Sequence, residues 1–169
     1  MERWRGKHAL VTGASAGIGY AIVEGLLQAG VHVVACARNP ATLHALKETL
    51  KADSDILVNN AGIGYFGEVG SGSIAEWREM LNLNILSTTI CTKETLRLLE
   101  KDGITTGHVI NINSIAGHRS IEGFNFYSGT KHMLTALTKA LHVELANKKS
   151  KIRVTSLSPG LVSLEPPRT

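Results

Sequence analysis

Short apolar runs alternate along the chain with segments of helical periodicity. Apolar runs at 8–12, 31–37, 55–59, 108–112 and 153–158 have the length of buried strands. Helical spacing is found at 17–29, after Asn39-Pro40, at about 73–101 following a Ser73-x-x-Glu76 capping box, and at about 124–147. Strands that alternate with helices predict an α/β fold, a doubly wound parallel sheet of the Rossmann type.

Composition supports a single globular domain. The 169 residues are 43% hydrophobic and 19% charged, which excludes disordered, collagen-like and coiled-coil chains. The net charge of +4 suits an anionic ligand, but the basic residues are scattered, and we expect no nucleic-acid partner. The basic run at 148–153 would be the alternative RNA-binding element, although such runs usually form a solvated helix end.

The sequence also gives expectations about compartment and metals. Residues 1–7 are charged and lack the apolar core of a signal peptide, and no apolar stretch reaches the ~20 residues of a membrane span. Cys36 and Cys91 lie in apolar runs and have no metal-ligand spacing, so we expect reduced, buried thiols and no metal site. A cytoplasmic protein with no membrane partner is predicted.

A glycine-rich loop joins the first strand to the first helix, with the spacing G-x-x-x-G-x-G. Such a loop lets the backbone approach a pyrophosphate at the helix N-terminus. The candidate nucleotide-binding residues here are Thr12, Gly13, Ser15, Gly17, Ile18 and Gly19. A glycine turn without a ligand is the plain alternative. Gly13-x-Ser15-x-Gly17 also matches the nucleophile elbow of hydrolases, but that interpretation leaves the other motifs unexplained.

The residue that ends the second strand indicates which dinucleotide would bind. In dinucleotide folds an acidic residue there accepts a hydrogen bond from the 2′-hydroxyl of the ribose, whereas an arginine accommodates a 2′-phosphate. This chain has Arg38 at that position, followed by Asn39, and no carboxylate. We therefore predict NADP rather than NAD, the alternative being a solvated surface arginine.

A second group of polar residues follows in the C-terminal half. Tyr127 and Lys131 are four positions apart on one helix face, where an ammonium would lower the pKa of the phenol. Ser114 follows the fourth strand, where ligands of parallel sheets bind, and Asn84 lies on an apolar helix face. These residues are candidates for proton transfer to a bound substrate. The alternatives are an exposed lysine beside a core tyrosine and a core asparagine with satisfied hydrogen bonds.

Taken together, the motifs resemble the short-chain dehydrogenase/reductase family. They are Thr12-Gly13-x-x-x-Gly17-Ile18-Gly19, Asn59-Asn60-Ala61-Gly62, Asn84, Ser114, Tyr127-x-x-x-Lys131 and Pro159-Gly160. Three stretches, 1–5, 90–94 and 110–119, further resemble one subgroup that reduces keto groups of steroids and other carbonyl compounds with NADPH. The resemblance extends to about Val162.

The resemblance implies a role for each matched residue. Tyr127 would protonate the carbonyl oxygen, Ser114 would polarise it, and Lys131 would tune Tyr127 and bind the nicotinamide ribose. Asn84 would hold a water that relays protons to Lys131. Asn60 and Gly62 would line the adenosine side, while Pro159, Gly160 and Val162 would lie at the nicotinamide. The implied substrate is a small carbonyl compound or hydroxysteroid, and the implied assembly is a homodimer or homotetramer.

The chain departs from the family pattern in two places. Between Lys51 and Asp53 the family has a strand and a helix, a block of roughly thirty residues that is missing here. After Gly160 the family continues with a threonine, a substrate loop, a helix and a last strand, whereas 163–169 match none of these. We therefore expect an incomplete reductase domain at 1–162 and a divergent tail at 163–169. The alternative to an active reductase is a catalytically impaired truncated isoform, at most a cofactor-binding or dimerising remnant.

Overall fold

The computed structural model describes residues 2–36 and 54–162. Its centre is a five-stranded sheet in the order β2-β1-β3-β4-β5, in which every neighbouring pair is parallel. The strands are β1 (His8–Thr12), β2 (His32–Cys36), β3 (Ser54–Asn59), β4 (His108–Ile112) and β5 (Arg153–Leu157). The predicted strands are confirmed, with bounds that shift by at most a residue at each end.

Helices cover both faces of this sheet. They are α1 (Gly17–Gln28), α2 (Ile74–Met80), a π-helical segment (Leu81–Ser87), α3 (Thr88–Lys101) and α4 (Asn125–Asn147), with short 3-10 turns at Glu2–Trp4 and Ile115–Gly117. Val58 of β3 belongs to the apolar cluster that includes Leu26 of α1. Its neighbour Asn59 points to the opposite face and donates a hydrogen bond to Thr92 of α3 at 3.0 Å. The doubly wound arrangement is confirmed.

One predicted helix is interrupted. The sequence indicates a continuous helix over about 73–101, but the structure has the π-helical segment at Leu81–Ser87 within it. Inside this segment the Asn84 side chain is bonded to the backbone of Ile63. The Ser87 hydroxyl also donates to the Leu83 carbonyl at 2.5 Å, the kind of contact that bends helices. The helix start at the Ser73 cap is confirmed, since its hydroxyl accepts from Glu76 N.

Polar side chains buried between β3, β4 and the helices fix the register of this layer. The Asn59 amide nitrogen also donates to Asn111 Oδ1 at 2.8 Å, and Asn111 Nδ2 donates to Thr138 Oγ1 of α4 at 2.9 Å. Because buried amides are costly without partners, this chain of bonds specifies how α3 and α4 sit on the sheet. The carboxyl ends of β3 and β4 are thereby held in place.

Within the described ranges, β2 and β5 are the edge strands of the sheet. In the family pattern the missing block would add a strand beyond β2, and its absence leaves β2 paired with β1 alone among the described residues. The helix predicted after Asn39 and the tail at 163–169 lie outside the described residues. None of the described helices is long and apolar enough to cross a membrane.

Candidate active site

A cavity of about 990 Å³ opens where the strands end, between the β1–α1 loop and the start of α4. This is the edge of a parallel sheet at which ligands bind, and its volume suits a nucleotide together with a small molecule. The candidate residues that line it are Thr12, Gly13, Ser15, Gly17, Ile18, Asn60, Gly62, Ser114, Tyr127, Lys131 and Gly160. The fold therefore brings most of the sequence candidates to one site.

The glycine loop approaches its neighbours too closely for side chains. Gly13 has φ +64°, and a Cβ there would lie 2.8 Å from the Ala61 Cα. Gly17, with φ +60°, begins α1 after Ala16, whose side chain forms no capping bond. The first N–H groups of α1 thus remain available to an anion at the cavity wall. This geometry fits the pyrophosphate of a dinucleotide.

Thr12 and Asn60 fasten the glycine loop to the end of β3. Asn60 Nδ2 donates to the carbonyl oxygens of Thr12 and Gly13, both at 3.0 Å. The Thr12 hydroxyl in turn accepts from the backbone N–H groups of Asn60 and Ala61, both at 3.1 Å. Both side chains are bonded to the protein itself, so their main effect on a ligand is to preorganise the loop.

Tyr127 and Ser114 meet at the other end of the cavity. Tyr127 is half-buried, and burial raises the pKa of its phenol while a hydrogen bond with Ser114 lowers it. The net pKa shift is upward, so the expectation of a lowered Tyr127 pKa is wrong for this structure. Desolvation dominates, and the phenol is held protonated. Gly64 lies against the ring, since a Cβ there would be 3.0 Å from Tyr127 Cδ2.

Lys131 is a buried cation, with 5% of its surface exposed. Its Nζ donates to the Ile112 carbonyl at 3.0 Å and lies 5.6 Å from the centre of the Tyr127 ring. Burial lowers the pKa of this ammonium to about 8. An ammonium whose pKa lies this close to neutral pH, next to a phenol, is typical of proton-transfer sites.

Asn84 lies directly behind the cavity wall and is 1% exposed. Its Oδ1 accepts from Ile63 N at 2.9 Å, and its Nδ2 donates to Ile63 O at 2.8 Å and to Thr130 Oγ1 at 3.1 Å. Gly62 separates it from the site: a Cβ there would be 3.3 Å from Asn84 Oδ1 and 3.7 Å from Lys131 Nζ. Asn84 thus joins the loop after β3 to α4.

The remaining candidates do not line the cavity or lie outside the described residues. Gly19 packs beneath the loop against Gly13 O and Asn60 Nδ2, so that only a glycine fits there. The Pro159 carbonyl accepts from Ile115 N at 3.0 Å, and Val162 is 48% exposed; neither residue lines the cavity. Arg38 and Asn39 lie outside the described residues.

Several lining residues were not predicted. At the Tyr127 end these are Ile63, Gly64, Arg119, Ile121 and Phe124. Gly64, two positions after the Asn-Asn-Ala-Gly motif, carried a sequence signal, whereas the others depend on loop geometry. Cys36 and Cys91 also line the cavity and are half-buried, which corrects the expectation of buried thiols. The described residues contain no cluster of metal-ligating side chains.

Comparison with known proteins agrees with these motifs. A family model described as short chain dehydrogenase matches residues 7–55 and 53–166. The protein named dehydrogenase/reductase SDR family member 11 from Homo sapiens is 38% identical over 199 residues, which covers 98% of this chain and 76% of the relative. It represents the subgroup that residues 1–5, 90–94 and 110–119 resemble, so that expectation is confirmed.

Solved structures give the same result. A putative 2-deoxy-D-gluconate 3-dehydrogenase from Agrobacterium tumefaciens with bound NADP is 31% identical, with a TM-score of 0.83, covering 95% of this chain and 73% of that one. A 4-hydroxyisoleucine dehydrogenase complexed with NADH is 28% identical, with a TM-score of 0.81, covering 94% of this chain and 77% of that one.

The match to the family has an internal gap. The family model aligns in two parts that meet at 53–55, and the 199-residue alignment with the human relative is longer than the 169-residue chain. Relatives therefore carry residues inside the aligned span that have no counterpart here, as the sequence predicted for the position after Lys51. The family model matches the part of the chain before that gap, which holds the glycine loop, and the part after it, which holds Ser114, Tyr127 and Lys131. The chain therefore belongs to the short-chain dehydrogenase/reductase family of oxidoreductases.

Proposed function

We propose that this protein is an NADP-dependent reductase of carbonyl compounds, either small ketones or ketosteroids. The observation that carries the proposal is a single cavity with the glycine loop at one end and Ser114, Tyr127 and Lys131 at the other. Such a cavity accommodates a dinucleotide that extends from the glycine loop toward a substrate at Tyr127. Bound NADPH would supply the hydride for the reduction.

The residues of this chain would supply the proton and hold the carbonyl group. Tyr127 is the donor to the carbonyl oxygen, and burial, which raises the pKa of its phenol, favours the protonated form. Ser114, hydrogen-bonded to Tyr127, polarises the same oxygen and stabilises the charge that develops on it. Lys131 stays in place through its bond to Ile112 O and presents a cation to Tyr127 and to a ribose hydroxyl. After proton transfer, this cation stabilises the phenolate.

Asn84 supports this group from behind. Its amide groups are bonded to Ile63 and Thr130, so it fixes the loop after β3 relative to α4, on which Tyr127 and Lys131 lie. Its side-chain oxygen Oδ1 and Lys131 Nζ both lie close to Gly62, which has no side chain to fill the space between them. A water held there would connect Lys131 with the solvent, as the family resemblance implies.

The choice of NADP follows from Arg38, whose guanidinium would pair with the 2′-phosphate of the cofactor. The relatives include proteins with NADP and with NADH bound, so family membership by itself leaves both cofactors open. Arg119, a further cation that lines the Tyr127 end, faces no carboxylate among the described lining residues. With Lys131 this makes two cations and no carboxylate in the described lining, so the Tyr127 end favours anionic groups.

A second candidate function is a catalytically impaired form that binds a dinucleotide or forms a dimer without turnover. It is supported by the internal gap, because the missing block would pair with β2 beside the glycine loop. Ser114, Tyr127 and Lys131 all remain present in this form.

Assembly into a homodimer or homotetramer is supported by exposed apolar side chains. Examples are Leu86 of the π-helical segment, Ile90 of α3 and Val143 of α4. We also infer a cytoplasmic location, which is supported by the two free cysteines.

The experiment that tests the proposal is NADPH oxidation by the purified protein with a small diketone and with a ketosteroid. Tyr127→Phe keeps the ring but removes the donor, and it should abolish most of the turnover. Tyr20→Phe makes the same chemical change on the surface of α1, outside the cavity, and should leave turnover intact. Turnover that persists in Tyr127→Phe would reject the mechanism, while NADPH binding without any turnover would favour the impaired form.

A further inference from the structure

The protein has two cysteines, and both line the same cavity. Cys36 ends β2, and its carbonyl oxygen accepts a hydrogen bond from Ala14 N of the glycine loop at 3.1 Å. Cys91 lies on α3, one turn after Ser87, which also lines the cavity. The two thiols therefore lie on the walls of the cavity, and Cys36 is directly attached to the loop that would hold the pyrophosphate.

The state of these thiols is compatible with access from the cavity. Both cysteines are free and half-buried. Burial raises the pKa of each thiol, and the charge of a Cys36 thiolate would raise that of Cys91 further. Near neutral pH both are uncharged thiols, so their reaction is slow and depends on access through the cavity.

We propose that Cys36 and Cys91, two thiols on the cavity wall of which Cys36 is bonded to the glycine loop, form a thiol-modification site, where a covalent adduct and the dinucleotide exclude each other. The location of the dinucleotide rests on the proposed function. Neither cysteine has a part in the proton-transfer group at Tyr127, and the sequence motifs of the family do not include them. The site takes low-molecular-weight disulfides.

The modification is a thiol–disulfide exchange. The cysteine loses its proton, and its sulfur attacks one sulfur of the reagent. The reagent's S–S bond breaks as the new S–S bond to the protein forms, and the departing half takes up the proton as a thiol. The cysteine is thereby oxidised and the departing half reduced, so that no further oxidant is needed. The attached group then occupies space in the cavity that Gly13 and Ala61 of the glycine-loop end also line.

Thiol titration with 5,5′-dithiobis(2-nitrobenzoate) tests the proposal, because every modified thiol must be Cys36 or Cys91. Cys36→Ser reports the reaction of Cys91, and Cys91→Ser that of Cys36. NADPH at about ten times its dissociation constant should slow both reactions about tenfold, by mass action. Low urea concentrations, below the unfolding transition, should leave the rates of thiol modification unchanged. This control shows that NADPH protects the thiols by occupying the cavity and not by stabilising the whole fold.

The reverse measurement uses NADPH binding, with each protein compared with its own untreated sample. Modification should weaken NADPH binding of the wild type at least about tenfold, and dithiothreitol should restore it. The Cys36→Ser/Cys91→Ser double variant should show no change on treatment with the reagent. Unchanged NADPH affinity of the modified wild type, or protection of one cysteine alone, would overturn the proposal. Absence of NADPH binding by the untreated protein would instead refute the proposed function, and the exclusion with it.

Discussion

Lys131 Nζ lies 5.6 Å from the centre of the Tyr127 ring while it donates a hydrogen bond to the Ile112 carbonyl. The backbone oxygen at the end of β4 thus holds the ammonium beside the phenol, where only 5% of the Lys131 surface is exposed. The cost of burying this charge lowers the pKa of Lys131 to about 8. The site therefore includes a cation that destabilises the folded chain.

This cost predicts how stability depends on pH. The pKa of Lys131 is lower in the folded than in the unfolded chain, so between about pH 8 and the ordinary lysine value of 10.5 the unfolded state binds more protons. The free energy of unfolding of the wild type, relative to Lys131→Met, should rise across this range by about 3 kcal/mol and stay constant below it. Urea unfolding at a series of pH values measures the difference.

Lys139→Met is the matched control, because Lys139 lies on the exposed side of the same helix. Its stability difference from the wild type should not show the rise that Lys131→Met reveals. A flat difference for Lys131→Met between pH 8 and 10.5 would mean that the buried ammonium is solvated in solution.

Gly13 should not tolerate a side chain. Gly13→Ala places a Cβ 2.8 Å from the Ala61 Cα at a residue with φ +64°, so both sterics and backbone strain oppose it. We expect a loss of about 1–3 kcal/mol in unfolding free energy together with weakened NADPH binding. Thermal unfolding and a fluorescence titration measure the two effects.

Gly25→Ala is the control for this substitution, because Gly25 lies in α1 and a Cβ there meets nothing within 4 Å. It should stabilise the protein by about 0.5–1 kcal/mol, since alanine is the better helix residue. Equal effects of the two substitutions would contradict the close approach of the glycine loop to the end of β3.

Arg38→Glu should reverse the cofactor preference. The wild type should bind NADPH more tightly than NADH, because a guanidinium pairs with the 2′-phosphate, whereas a glutamate repels it and accepts from the ribose hydroxyls. A change of about 1.5–3 kcal/mol for each charged hydrogen bond corresponds to a more than tenfold loss of NADPH affinity. Titration of both cofactors against tryptophan fluorescence decides the matter, and a wild type that prefers NADH would contradict the assignment.

The fold and most of the site could be predicted because their signals are local. The strand runs, the glycine spacing and the Tyr127–Lys131 interval are each contained in a short stretch of sequence. The π-helical turn at Asn84 was missed, because its cause is a bond to Ile63, which lies outside the helix. The predicted direction of the Tyr127 pKa shift was also wrong, and so was the prediction that Cys36 and Cys91 are buried. These properties depend on how much space the surrounding elements leave, which periodicity does not reveal.

Restoring the missing internal block should produce a more stable protein and a better enzyme. Among the described residues β2 pairs with β1 alone, and the family strand would pair with the other edge of β2. Inserting a family strand and helix of roughly thirty residues between Lys51 and Asp53 would cover that edge and bury apolar surface worth about 25 cal/mol per Å². Because net stability is only about 5–15 kcal/mol, the urea midpoint should rise measurably.

The wall beside Cys36 would also close around a bound nucleotide, so NADPH affinity should rise together with turnover. Equilibrium unfolding, NADPH titration and NADPH oxidation on both proteins measure these effects. If the inserted protein equals this chain in all three, then Ser114, Tyr127 and Lys131 suffice on the smaller sheet, and the argument from the missing block is wrong.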